Sequence, residues 1–316
     1  MKMKKEYLIL ILVIAALAIY ISLRKESRIQ YEIPEVSEIA SEEISGILIS
    51  GDGKEFKIKK ENDKWLIGSE NYPADSYKIG QMVDFLKRPL LMTVVSDSED
   101  YLRYGLDEKK RIMVKAISGE KELRIVDIGN PAGVQNYTFI RIGDDPVVYH
   151  AREDLRDIFV PDVDEIRDKK VIAFNRDDVE SVSFKGDGKD WVFTRKAQPQ
   201  GEGNDKNGEL FQWESEDGIK AEHAKMISIL DEIASIKCFK YIYDEASEEL
   251  DSPLYVVRVR DKTDHILTVY PKKEDDYRAQ SSDNPSPFYL YAWRIDNIRE
   301  KFEDIIGVNN EEKPDA

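Results

Sequence analysis

Apolar and polar residues alternate on both sides of a repeated Gly-Asp-Gly-Lys segment. The first copy, in "ILISGDGKEFKI", occupies residues 51–54, and the second, in "SVSFKGDGKDWVF", occupies residues 186–189. Alternation with a period of two is typical of a strand with one buried face, and Asp-Gly tolerates the positive φ that a two-residue hairpin turn needs. Each copy therefore predicts a β-hairpin.

A helical pattern follows each predicted hairpin. The apolar residues recur at i, i+3, i+4 and i+7, which predicts a helix with one buried face. They are Ile79, Met82, Val83 and Leu86 in the first copy, and Met226, Ile229, Leu230 and Ile233 in the second. Asp75 and Glu222 stand at matching places in the predicted first turn, where a carboxylate suits the helix dipole. A duplicated acid pair is the alternative interpretation.

The two patterns continue to match beyond the helices. Trp65 corresponds to Trp213, and "PVVYHAREDLRDIF" corresponds to "PFYLYAWRIDNIREKF". The glycine-rich stretch 196–208 lengthens the second copy and predicts a surface loop. We therefore expect an α+β fold with two tandem repeats, each an antiparallel sheet with a packed helix. The predicted repeats span 43–160 and 176–305, joined by a connector at 161–175 and followed by a disordered tail at 306–316.

The N-terminus carries a different pattern. Three lysines precede an uncharged apolar run from Tyr7 to Leu23, which predicts a single transmembrane anchor at 1–23, followed by a polar tether at 24–42. A signal peptide cut after Ala16-Leu17-Ala18 is the alternative, but the apolar run continues past that site. We expect the C-terminal body to lie outside the cytoplasmic membrane.

Charge and motif spacing exclude several classes of partner. The chain carries a net charge of −16 although its N-terminal segment is basic, so the body as a whole is expected to repel both nucleic acid and anionic lipid headgroups. A phosphate loop needs a glycine five positions before Gly53 and a hydroxyl residue after Lys54, and the chain has Leu48 and Glu55 there. Neither nucleic acid nor nucleotide is an expected partner.

The order of several segments resembles a known family. These are "NDKWLI", "YPADSYKIGQMVDFL", "YGLDEKKRIMVK", "PVVYHAREDL" and "IRDKKVIAF". The order resembles the membrane-anchored bacterial family known as domain of unknown function 4340, over about residues 46–184. The resemblance implies a cell-envelope protein whose partner is an ABC-type transport system of the gliding-motility kind. It supplies no catalytic residue.

The sequence contains no recognisable catalytic, cofactor or metal motif. His150, His223 and His265 have no ligand partner at metal-site spacing. Cys238, the single cysteine, is expected to be buried on the apolar side of a helix. The four tryptophans are expected in the core, with an aromatic sugar platform as the alternative.

The functional expectation that follows is non-enzymatic. We expect a membrane-anchored, extracytoplasmic accessory protein of an ABC-type transport complex, with no catalytic, cofactor or metal residues. The alternative is an envelope glycan-binding protein or hydrolase with a site between the repeats.

Overall fold

The computed structural model describes residues 13–20, 33–133, 136–197, 211–243 and 250–307. Of the predicted anchor, residues 13–20 are helical, and residues 1–12 and 21–23 lie outside the described part. Tether residues 24–32, loop residues 198–208 and tail residues 308–316 also lie outside it. Within the described ranges, every helix is too short or too polar to cross a bilayer.

Two nine-stranded antiparallel sheets form the body, so the α+β class and the two sheet repeats are confirmed. The strands of the first sheet are β1 (Gly46–Gly51), β2 (Lys54–Glu61), β3 (Lys64–Ile67), β4 (Tyr72–Pro73), β5 (Leu91–Ser96), β6 (Ile112–Ser118), β7 (Lys121–Pro131), β8 (Tyr137–Ile142) and β9 (Val148–Arg152). Those of the second are β10 (Ser181–Gly186), β11 (Lys189–Ala197), β12 (Phe211–Ser215), β13 (Lys220–Ala221), β14 (Lys240–Tyr241), β15 (Tyr255–Arg260), β16 (Asp264–Lys273), β17 (Asp276–Ser281) and β18 (Asn284–Leu290).

The strand order is the same in both sheets. It is β4-β3-β2-β1-β6-β7-β8-β9-β5 in the first and β13-β12-β11-β10-β15-β16-β17-β18-β14 in the second. The register agrees as well, because Ile58 faces Ile67 in one sheet and Phe193 faces Ser215, at the equivalent positions, in the other. The duplication read from the apolar pattern therefore extends to individual strand pairs.

The repeated Asp-Gly dipeptides form equivalent hairpin turns. Asp52 and Asp187 both have φ of 51°, and Gly53 and Gly188 have φ of 72° and 73°. Two successive residues with positive φ define the hairpin turn whose twist matches that of the flanking strands. The hairpin interpretation is confirmed, because each segment continues into a second strand instead of a helix.

Six α-helices and two 3-10 turns connect and cover the strands in the described ranges. The helices are α1 (Ser76–Lys87), α2 (Tyr101–Tyr104), α3 (Leu155–Ile158), α4 (Val163–Ile166), α5 (His223–Ala234) and α6 (Ala292–Ile306). The 3-10 turns are Ser41–Glu43 and Arg176–Asp178. The four predicted apolar residues of α5 are all buried; in α1, Val83 is only half-buried and Phe85 is buried as well.

Asp75 and Glu222 immediately precede their helices instead of lying in the first turn. The Asp75 carboxylate accepts hydrogen bonds from the backbone N–H groups of Tyr77 (2.9 Å) and Lys78 (3.2 Å). Glu222 occupies the N-cap of α5, and its side chain makes no capping bond. Asp75 therefore caps its helix through its side chain, whereas Glu222 acts only through its charge.

By packing, the chain divides into two compact units. The first comprises Met1–Lys57 and Gly80–Pro161, and the second comprises Ile58–Ile79 and Asp162–Ala316. The core of the second unit gathers buried residues from the sheet, α5 and α6, including Trp213, Phe288 and Phe302. Such a core gives this unit a fixed frame on which surface side chains keep their positions.

Candidate functional site

The outer strand β14 forms one edge of the second sheet, and we call the surface around it the β14 edge. It comprises residues 237–243 and 284–294, together with Arg167 and its contacts. β14 pairs with β18 through Lys240 opposite Tyr289 and Tyr241 opposite Phe288. The chain reaches this edge directly after α5 ends at Ala234. The outermost strand of a sheet presents backbone groups that a partner can pair with.

A buried arginine organises the inner side of the β14 edge. Arg167 is 1% exposed. Its guanidinium carbon lies 3.7 Å from the ring centre of Tyr72 and 3.3 Å from that of Tyr241. Its terminal nitrogens donate to the Tyr243 hydroxyl at 2.8 Å and to the Ser286 hydroxyl at 3.0 Å. The cation is thus clamped between two aromatic faces and two hydroxyl acceptors.

The positive charge of Arg167 is connected to a carboxylate through one intervening hydroxyl group. The Tyr243 hydroxyl, which accepts from Arg167, donates to the Asp164 carboxylate. Among the described residues, no carboxylate lies within ion-pair distance of Arg167, and its Nε is buried without a partner. Burial, then the bond to Asp164, raises the pKa of Tyr243. Burying a charge is costly unless it is compensated, and here the two tyrosine rings and two hydroxyl acceptors offset the cost.

The outer side of the β14 edge carries exposed aromatic side chains. The ring of Phe239 stacks on Tyr291 at 4.4 Å between ring centres and on Tyr289 at 6.0 Å. Tyr291 is 47% exposed, and Trp293, at the start of α6, is 51% exposed. The guanidinium carbon of Arg294 lies 4.3 Å from the Trp293 ring centre. These five residues form what we call the aromatic surface.

The expectation that all four tryptophans lie in the core is wrong for Trp293. Trp213 is 1% exposed, and Trp65 and Trp191 are half-buried in their strands. Trp293 stands in the first turn of α6, directly after β18, and is 51% exposed. No periodic pattern marked it, because the first residues of a helix are not constrained to its buried face.

Cys238 is buried as expected but does not lie on a helix. It follows the end of α5, and its backbone N–H donates to Lys169 at 2.9 Å. Burial is the main cause that raises the pKa of its thiol. A thiol that stays protonated and inaccessible is chemically inert.

The histidines contribute to packing and local hydrogen bonds. Trp213 donates to His223 at 3.2 Å, and His150 bonds Thr93 at 3.0 Å. His265 lies within β16, and its two ring nitrogens face Asp283 (2.8 Å) and Asp261 (3.1 Å). Over the described ranges, no group of three potential ligands has the arrangement of a metal site.

In the part of the chain that the structure describes, each carboxylate with a shifted pKa is stabilised in its charged form. The pKa of Asp178 is lowered chiefly by its bond to Lys262, and that of Glu214 chiefly by its bond to Lys196. The pKa of Asp264 is lowered chiefly by its hydrogen bond to Arg260. A general acid needs a raised pKa, so these groups have the character of structural ion pairs.

The fold and this edge define a class of protein: a tandem α+β protein with two nine-stranded antiparallel sheets and an exposed aromatic surface on the second. The chain belongs to the family described as "Domain of unknown function (DUF4340)", whose model matches residues 65–253. No curated protein and no solved structure matches the chain. The family match begins in the first repeat and extends through α5 and β14 into the second.

Proposed function

We propose that the protein is a membrane-anchored, extracytoplasmic accessory protein that binds a partner in an ABC-type transport complex through the β14 edge. The aromatic surface is the observation that carries this proposal. Tyrosine, tryptophan and arginine are the residues that dominate binding energy at protein interfaces. Tyr291, Trp293 and Arg294 lie together on the aromatic surface, and the tyrosine and tryptophan are half-exposed.

The buried Arg167 gives this proposal further support, because it contacts the two strands next to the aromatic surface. A binding surface is effective when its side chains are held in place before the partner arrives, because less entropy is then lost on binding. Arg167 fixes Tyr241 on β14 and Ser286 on β18. Phe239 directly precedes β14, and β18 contains Tyr289 and precedes Tyr291, so the clamp helps to position the two segments that carry part of the aromatic surface.

The proposed anchor is the apolar run of residues 7–23. Residues 13–20 are helical, and basic residues flank the run on both sides. A single anchor of this kind holds the acidic body at the outer face of the cytoplasmic membrane, where components of a transport complex are within reach.

Glycan binding is the second candidate function, because exposed aromatic rings also stack on sugars. Trp293 and Tyr291 provide such rings, and the Arg294 guanidinium, which also donates to Glu232 and Ser235, lies over the ring of Trp293. This candidate uses the same surface but a different ligand. It predicts binding of isolated envelope glycans by the protein without any partner protein.

Co-purification from membranes in mild detergent tests the proposal. The wild-type full chain should remain in alkali-washed membranes and should co-purify with a membrane-spanning subunit of an ABC-type transporter. Tyr291→Ala with Trp293→Ala should lose that subunit while keeping the thermal unfolding profile. Tyr77→Ala is the matched control, because Tyr77 is 75% exposed and lies on α1. Release of the chain by the alkaline wash, or retention of the subunit by the double variant, would contradict the proposal.

A further inference from the structure

A second surface, on the first compact unit, has the composition of a membrane contact. Residues 33–38 run across it, next to residues 88–92 and Arg152, and enclose a cleft of about 840 Å³. We call it the N-terminal cleft. Its rim exposes Ile33 (41%), Leu90 (47%) and Met92 (36%). Three apolar side chains exposed together in one cleft indicate a contact that the isolated body does not satisfy.

Residues 37–39, which border the N-terminal cleft, are bonded to the rest of the first unit. The backbone N–H of Ile39 donates to Lys87 at 3.1 Å, and Glu38 forms an ion pair with Lys87 at 3.1 Å. The buried Arg124 guanidinium donates to the carbonyl oxygens of Ser37 and Leu86. The cleft is therefore fixed in the first unit and is not formed by a loose tail.

The position of the cleft along the chain limits its distance from the proposed anchor. Only residues 24–32 separate the end of the apolar run from Ile33. Nine residues span at most about 30 Å when fully extended. On the proposed topology, the cleft therefore cannot move farther than that from the bilayer surface.

The charges of the cleft complement a phospholipid surface. Arg88 and Arg152 are exposed, and within the described ranges neither has a carboxylate within ion-pair distance. Glu35 also lines the cleft, and Glu38 is neutralised by Lys87. With Glu38 paired to Lys87, two arginines stand against one unpaired glutamate, Glu35, and their guanidinium groups suit lipid phosphates, which makes the cleft a local exception in an acidic body. The apolar rim suits the region just below the headgroups.

We propose that the N-terminal cleft docks on anionic phospholipid headgroups, with Ile33, Leu90 and Met92 at the interface and Arg88 and Arg152 on the phosphates. This inference rests on the proposed anchor. It implies that the first unit is held against the bilayer in a fixed orientation.

Fluorescence quenching in the full chain tests this inference. An environment-sensitive fluorophore is attached at Leu90→Cys or, as a control, at Leu102→Cys, which is 66% exposed in the same unit outside the cleft. Because Cys238 is buried, labelling is confined to the introduced cysteine. The chain is reconstituted into bilayers of phosphatidylcholine with or without phosphatidylglycerol, containing nitroxide-labelled lipid.

Docking predicts strong quenching and a blue shift at Leu90→Cys in the anionic bilayers, and little quenching at Leu102→Cys. Arg88→Glu with Arg152→Glu should lose most of that quenching, whereas Arg103→Glu, an exposed arginine outside the cleft, should keep it. Equal quenching at the two labelled sites in reconstituted protein would overturn the docking inference alone. Failure of the chain to insert into either bilayer would overturn the proposed anchor and the docking that rests on it.

Discussion

At the scale of single residues, Arg167 is the side chain that links the most segments at the β14 edge. Its planar guanidinium contacts two tyrosine rings and two hydroxyls at once. A lysine ammonium has the same charge but neither the planar face nor the fork of donors. The geometry of the site therefore depends on the shape of the cation as much as on its charge.

Arg167→Lys should lower the free energy of unfolding by about 2 kcal/mol or more, because a desolvated cation–π clamp is lost. The measurement is urea denaturation of the full chain in mild detergent. Arg258→Lys is the control: Arg258 is exposed on β15, and its replacement should leave the unfolding midpoint nearly unchanged. Equal effects of the two substitutions would show that the clamp contributes nothing.

His265 predicts a pH dependence of stability. Burial lowers its pKa, but hydrogen bonds to Asp283 and Asp261 and their charges outweigh burial, so the pKa lies above the ordinary 6.5. Burial also works against the charge of Asp261, yet backbone N–H groups and His265 bring its pKa to about 2. The raised His265 pKa stabilises the fold below pH 6.5, and this contribution disappears as pH rises through the folded-state pKa. The lowered Asp261 pKa stabilises above pH 3.8 and is lost as pH falls toward 2.

The stability difference between wild type and His265→Asn should therefore be greatest between about pH 3.8 and 6.5 and should shrink above that range. Thermal unfolding of both proteins across pH measures it. A difference that grows steadily from pH 6 to pH 9 would mean that His265 is neutral in the folded protein.

At the scale of elements, the apolar pattern predicted the sheets and helices well. The offset between the two Gly-Asp-Gly-Lys segments predicted which strands are equivalent, because alternation records the buried face of each strand directly. The buried face of α5 was predicted completely. That of α1 was not, because Phe85 lies beside Leu86 and widens the face beyond four positions.

The Arg167 clamp could not be predicted in the same way. Its members come from residues 72, 167, 241, 243 and 286, and no local periodicity links segments so distant in the chain. The only local signal was the alternation of Tyr241 and Tyr243 beside an apolar segment. That signal indicates a strand and says nothing about which cation the rings contact.

Leu86→Ala and Ile233→Ala should each lower the free energy of unfolding by about 2–5 kcal/mol, because both side chains are fully buried and leave cavities. Asp75→Asn and Glu222→Gln are the controls and should cost about 0.3–1 kcal/mol through the helix dipole. Urea denaturation gives all four values. An amide variant that is stable but inactive in complementing a deletion strain would give that carboxylate a role in binding or catalysis.

The two hairpin turns provide an independent test of the duplication. Gly53→Ala and Gly188→Ala should each cost about 1–2 kcal/mol, because alanine is strained at positive φ. Nothing within 4 Å would contact the added Cβ in either turn, so strain is the only cost. Clearly unequal values from thermal unfolding would show that the turns are not energetically equivalent.

At the scale of the whole molecule, the two repeats share a strand order but differ at their outer edges. β14 is a two-residue strand beside the aromatic surface, whereas its counterpart β5 has six residues and borders the N-terminal cleft. After duplication, equivalent edges have thus acquired different chemistry. We infer that one edge serves a protein partner and the other the membrane.

Site-specific photo-crosslinking in membranes tests directly whether the β14 edge binds a protein partner. A photoreactive amino acid replaces Trp293 in the full chain, and a second variant carries it at Tyr77, which is more exposed. We expect a discrete adduct between the Trp293 position and a subunit of an ABC-type transporter, and no such adduct from the Tyr77 position. The absence of a protein adduct at Trp293, or the same adducts from both positions, would contradict the claim that the β14 edge binds a membrane partner.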